Sequence, residues 1–134
     1  MGDQEPAAFE TVRPRESADC LAPDGSEIRL LASVRGGSCV ECTLPAGRTS
    51  LAVRHRTVEE IWCVLRGRGQ VWRKQGEREG VVDVEPGTAL TVPLGVHFQF
   101  RPIGPEPLVL VIVTMPPWPG ADEAVRVKDH WQTW

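Results

Sequence analysis

Glycine and proline cut this chain into short apolar runs, and that punctuation restricts its fold more than any other feature. With 13 glycines and 12 prolines in 134 residues, no stretch keeps a convincing helical period. The runs are Glu27–Val34, Ser38–Leu44, Ser50–Arg56, Glu60–Leu65, Gln70–Lys74, Val81–Val84, Ala89–Val92, Phe98–Arg101 and Leu108–Thr114. Turn signals fall about every 8–12 residues, the spacing of an all-β sandwich or barrel, jelly rolls included. Ile61–Leu65 and Leu108–Val113 are apolar on both faces. A wall strand with one solvated face alternates, so both runs are expected to be covered twice, by a second sheet, the terminal arms or another subunit. The last option makes a homodimer the expected assembly.

The length suits one domain. Residues 1–21 read as a polar arm, 22–115 as the barrel, and 116–134 as an irregular tail rich in proline and tryptophan. Pro116, Pro117 and Pro119 cannot join a ladder, and a short helical turn over Asp122–Val125 is expected. Trp118, Trp131 and Trp134 make the tail too aromatic for a disordered end, so it should pack on the barrel or on a partner. The net charge of −3 gives no general attraction to nucleic acid or to an anionic membrane. The basic cluster of Arg54, Arg56, Arg66, Arg68, Arg73 and Lys74 stands among Glu59, Glu77 and Glu79, a mixed and solvated face. No secretory signal opens the chain and no run has the length of a membrane span, so a cytoplasmic protein is expected. Cys39 and Cys42 form C-x-x-C, but alternation along a strand turns them to opposite faces. All four cysteines are expected to be free thiols.

Two stretches carry the chemistry. From Gly47 to Gly67 the chain reads GRTSLAVRHRTVEEIWCVLRG, and from Gly87 to Arg101 it reads GTALTVPLGVHFQFR. These resemble the paired motifs of the cupin family, G-x5-H-x-H-x4-E-x6-G and G-x5-P-x-G-x2-H-x3-N. Gly47, His55, Glu60 and Gly67 match the first, and Gly87, Pro93 and Gly95 the second. Val53 and Phe98 stand where the family has histidines, and Pro102 where it has asparagine. The resemblance implies a single-domain, cupin-like jelly-roll β-barrel over most of the chain.

In the family, positions 53, 55, 60 and 98 would supply three imidazoles and a carboxylate, a set suited to Fe, Mn, Ni, Cu or Zn. Here His55 and Glu60 remain. His97 lies one residue from the vacant position, and a local bulge could bring it inward as a third donor. We expect no tightly bound metal; His55, Glu60 and His97 are the ligands if one is held. Strand phase places Leu51, Val53 and His55 on one face. Glu60 and Trp62 share a side, with Phe98 and Phe100 on the opposite wall. The phase of Gln99 turns it outward with His97 and Arg101 unless the Gly95-Val96 turn rotates them; rotated inward, it would join the pocket. His55 and Glu60 are the candidate catalytic pair, while Val53, Trp62, Phe98, Phe100 and Gln99 are the candidate substrate contacts. Glu59, on alternate phase, should face solvent or pair with Arg54 or Arg56.

Cupins include dioxygenases, isomerases, epimerases, decarboxylases, cyclases of natural-product intermediates and non-catalytic sensors, and fold alone does not choose among them. The retained pair inside an apolar lining suits acid–base isomerisation, cyclisation or dehydration of an apolar, oxygenated small molecule. A metal-dependent oxygenase and a ligand-binding module without chemistry are the alternatives.

Overall fold

The structure, a computed structural model, describes residues 8–133. Residues 1–7 of the arm and Trp134 of the tail lie outside them. Eleven strands are present among the described residues. They begin with β1 (Cys20–Leu21), β2 (Glu27–Val34), β3 (Gly37–Leu44), β4 (Val53–His55), β5 (Glu59–Arg66) and β6 (Gly69–Gln75). β7 (Arg78–Val84), β8 (Ala89–Val92), β9 (His97–Pro102), β10 (Leu108–Met115) and β11 (Ala124–Arg126) follow, with a single 3-10 turn at Ala121–Glu123. The sheets are antiparallel, ordered β1-β2-β3-β10-β5-β8 and β11-β4-β9-β6-β7.

This is the all-β jelly roll that the punctuation implied. The inner faces of the two sheets meet in one core around Trp62, Val64, Phe98, Phe100, Leu108 and Leu110. Alternation decides which side chains enter it. Along β5, Glu60, Trp62 and Val64 are buried while Glu59, Ile61, Cys63 and Leu65 are exposed. Within one copy of the chain, no described sheet or arm covers the outer face of this run: Ile61 and Leu65 stay 46% and 42% exposed. On β10 the outward Val111 and Val113 are half-buried.

The tail packs on its own barrel. β11 pairs with β4, setting Ala124 opposite His55, so the chain's end extends the sheet that carries the candidate histidine. Beyond it, the Gln99 side chain binds backbone groups of His130 and Trp131. His130 stacks on Trp72, and the Arg101 guanidinium sits 4.2 Å over the Trp131 ring. The helical turn expected at Asp122–Val125 is the 3-10 turn, one residue earlier. All four cysteines are free thiols, Cys42 buried and Cys39 half-buried.

Candidate functional site

The two sheets part at one end around a cavity of about 510 Å³, lined by Val53, His55, Glu60, Trp62 and Phe98 among others. Each enters by strand phase. Val53 and His55 are the inward residues of β4, and Glu60 and Trp62 those of β5. Val53 is the cross-strand partner of Phe98, so the residues at two family histidine positions pack against each other.

Glu60 is 7% exposed and held at both oxygens. The Trp62 indole, two residues along the strand, donates to Oε1 at 2.9 Å. The hydroxyl of Thr114, its cross-strand neighbour on β10, donates to Oε2 at 2.6 Å. His55 is 5% exposed and its ring meets Phe98 and Trp118 edge-on, at centroid distances of 5.1 and 5.3 Å. Its Nδ1 is enclosed without a hydrogen-bond partner and lies 3.9 Å from Glu60 Oε1. That is too long for a hydrogen bond and short enough to become one with a small adjustment.

Burial pushes the Glu60 carboxyl above the usual carboxylate range, against the hydrogen bonds from Thr114 and Trp62 that favour its ionised form. Burial pushes His55 down, opposed by the charges of Asp24 and Glu123. The two pKa values are thus driven toward each other, which eases proton exchange between the groups.

The structure adds residues that the motifs did not indicate. Asp24, in the turn between β1 and β2, lines the cavity. Its Oδ1 accepts hydrogen bonds from the Ser26 amide at 3.0 Å and the Ser26 hydroxyl at 2.7 Å. Burial raises its pKa above the usual range, and it lies near enough for Glu60 and His55 to act on its charge. Trp118 reaches the cavity from the tail. Glu123 closes the corner by accepting hydrogen bonds from the Thr57 and Val58 backbone and the Thr57 hydroxyl. Burial alone would raise the Glu123 carboxyl, but these bonds bring it below its ordinary value. Thr114 had a legible signal, as the one polar residue on the inward phase of β10. Asp24 had none, because a Pro-Asp-Gly turn looks the same at any surface.

Three expected contributors lie elsewhere. Gln99 is buried on the outer face of its sheet, where its amide binds Ser50 and the tail; it is not among the cavity residues. Phe100 belongs to the core behind Trp62, with ring centroids 5.0 Å apart, and does not line the cavity. His97 stands opposite Lys74 in the β6–β9 register, its pKa lowered by burial and by Lys74 and Arg54. No bulge turns it inward. Glu59 is exposed.

A divalent ion fits this donor set poorly. Val53 and Phe98 offer no donor atom, His97 is on the other face, and both Glu60 oxygens are already engaged. Among the described residues no group of three His, Cys, Asp or Glu side chains is placed to hold an ion.

Known proteins share this architecture. A family model described as "Cupin domain" matches residues 40–114. The uncharacterized protein MJ1618 of Methanocaldococcus jannaschii is 29% identical over 110 residues, covering 78% of this chain and 85% of that protein. An oxalate decarboxylase structure superposes with a TM-score of 0.65 at 16% identity, over 93% of this chain and 30% of that one. This chain therefore spans under a third of that enzyme. The Bacillus subtilis oxalate decarboxylase carries Mn(II) centres. BH2720 of Bacillus halodurans superposes with a TM-score of 0.63 at 22% identity, over 69% and 72% of the two chains. The cupin domain of Schizosaccharomyces pombe Cnp3 gives 0.61 at 16%, over 68% and 64%.

Proposed function

The chain belongs to the cupin family, and from that premise we propose that its barrel end is a small-molecule site where His55 and Glu60 form an acid–base pair working without a metal. The observation that carries this reading is the enclosed, unpartnered Nδ1 of His55, facing Glu60 Oε1 across 3.9 Å at the wall of an apolar cavity. An unsatisfied buried polar atom costs about 1–3 kcal/mol, and a bound ligand that closes the gap removes that cost. With Nδ1–H then donated to Glu60, the other ring nitrogen is left as a base. It takes a proton from a carbon next to a carbonyl, the Glu60 carboxylate stabilises the imidazolium, and the proton returns at a second position or to a hydroxyl leaving the β carbon. Isomerisation conserves every atom in this scheme; dehydration releases the hydroxyl with the returned proton as water. The apolar lining selects an oxygenated substrate with an apolar body. An oxygenase of the metal-dependent kind would need His97 to leave the outer face of β9.

The test is hydrogen–deuterium exchange in D₂O at the enolisable carbons of a panel of aryl ketones and lactones, followed by NMR, with metal content measured on the same samples. Wild-type protein is expected to exchange at least one panel member. His55→Gln should lower that rate by about 10²-fold or more, the usual size of a general-base contribution. Exchange that survives His55→Gln, or that tracks stoichiometric metal and stops with a chelator, would overturn the reading. Panel members that bind without any exchange would make the site a binding module.

A further inference from the structure

The proposed function uses His55 and Glu60 but leaves Asp24 idle, and the charge balance of the cavity is one-sided. Its ionisable lining consists of Asp24, Glu60, His55 and cysteine thiols, with no lysine or arginine. A half-buried Asp24 and a buried Glu60 face the cavity with no cation to pair with, so each is costly to ionise there. Asp24 is also oriented. Ser26 fixes one carboxylate oxygen with two hydrogen bonds, while no described residue donates to the other. Three further aromatic rings, Trp62, Phe98 and Trp118, stand in the same lining. Two of them pack edge-on to His55. The unpartnered Nδ1 of His55, a residue only 5% exposed, independently marks the cavity as built for an occupant.

We propose that the occupant is an organic cation, an amine with an apolar or aromatic body, whose ammonium is anchored by Asp24 and faced by the Trp118 and Trp62 rings. The inference rests on the reading of the cavity as a small-molecule site and adds the charge of its ligand. A carboxylate held at one oxygen and open at the other accepts a charge-assisted hydrogen bond from an ammonium. Indole faces add attraction to a desolvated cation that a neutral isostere does not receive. Ile28, Val40 and Ile112 are among the apolar residues of the wall. An anionic ligand would meet two carboxylates and no opposite charge. Asp24 is thus a substrate anchor, separate from the proton-transfer pair.

The experiment compares three probes that share a phenylethyl body, 2-phenylethylamine, 2-phenylethanol and 3-phenylpropanoate, by tryptophan fluorescence and calorimetry on the full chain at neutral pH. The amine is expected to bind about tenfold or more tightly than the alcohol, and the carboxylate weakest. Asp24→Asn keeps an oxygen acceptor for Ser26, so the turn should persist. It should abolish the preference for amine over alcohol while changing alcohol affinity less than about twofold. Trp118→Leu should narrow the same preference without touching the turn, which decides the matter if Asp24→Asn does not fold. Equal binding of amine and alcohol, or a preference that survives either substitution, overturns the proposal. Exchange lost in His55→Gln with no amine preference removes this inference and leaves the acid–base pair standing. An amine preference with no exchange on any substrate does the reverse.

Discussion

Glu60 is enclosed beside a neutral imidazole with no cation in reach, and that has a thermodynamic signature. Its folded-state pKa is raised by burial above the ordinary value of 4.5. The folded chain therefore keeps this proton where the unfolded chain has released it. The associated stability is present below about pH 4.5 and is lost as pH rises through the folded value. His55 runs the other way. Its pKa is lowered from 6.5, so its contribution is present above that value and falls away as the solution is acidified. Glu60→Gln keeps an acceptor for the Trp62 indole and a polar partner for Thr114 while removing the charge. Relative to wild type, the variant's melting temperature should gain about 3 °C more at pH 8 than at pH 5, read by circular dichroism. An equal shift at both pH values would show that Glu60 carries no ionisation penalty. At this scale the sequence was legible where strand phase and motif spacing coincided, at Val53, His55, Glu60, Trp62 and Phe98. It was illegible at Asp24, which lines the cavity because the β1–β2 turn folds against it. Gln99 obeyed its outward phase and found the tail there.

The strands of the two motifs are held in place by glycines that look equivalent in sequence and are not. Gly47 and Gly67 both adopt left-handed backbone, with φ of +81° and +80°. A Cβ on Gly47 meets no heavy atom within 4 Å, whereas one on Gly67 would collide with the carbonyl oxygen of Pro107. Gly47→Ala should therefore cost only left-handed strain, about 1–2 kcal/mol. Gly67→Ala must also displace the backbone entering β10 and should cost about 3 kcal/mol or more. Urea unfolding of both variants measures the difference, and equal destabilisation would mean that the β5–β6 turn yields without strain. Element existence was readable from the same punctuation, but extents were not. Of the run Ser50–Arg56, only Val53–His55 is strand. The Ser50 amide turns to the Phe100 carbonyl and the Leu51 amide to that of Asp24. β1, two residues long, pairs with β2 across the Pro23-Asp24-Gly25 turn, whereas the three-residue β11 is created by pairing with the distant β4, and no local pattern announces that.

On the scale of the molecule, the last residues complete the barrel that holds the site. β11 lies against the strand carrying His55, Trp118 enters the cavity, and Glu123 caps the start of β5, so cavity shape depends on where the tail is docked. Beyond β11, one side chain supplies the hydrogen bonds that dock His130 and Trp131. The Gln99 amide donates to the carbonyls of Ser50 and Trp131, each at 2.9 Å, and accepts from the His130 and Trp131 amides at 2.9 and 2.8 Å. Gln99→Ala leaves several of these backbone groups without partners in a buried place, at about 1–3 kcal/mol each where water cannot replace the amide. The cheapest response is for the tail beyond β11 to detach and hydrate, a local opening and not global unfolding. Trypsin reads that opening at Lys128, which lies between β11 and the docked His130. Cleavage there should be about tenfold faster in Gln99→Ala than in wild type, while the far-ultraviolet spectrum of the barrel is retained. Binding of a cavity probe should weaken in parallel, because β11 and Trp118 lose their brace. Unchanged cleavage at Lys128 would show that His130 on Trp72 and Arg101 on Trp131 hold the tail without the amide, and would move the origin of cavity closure from Gln99 to those rings.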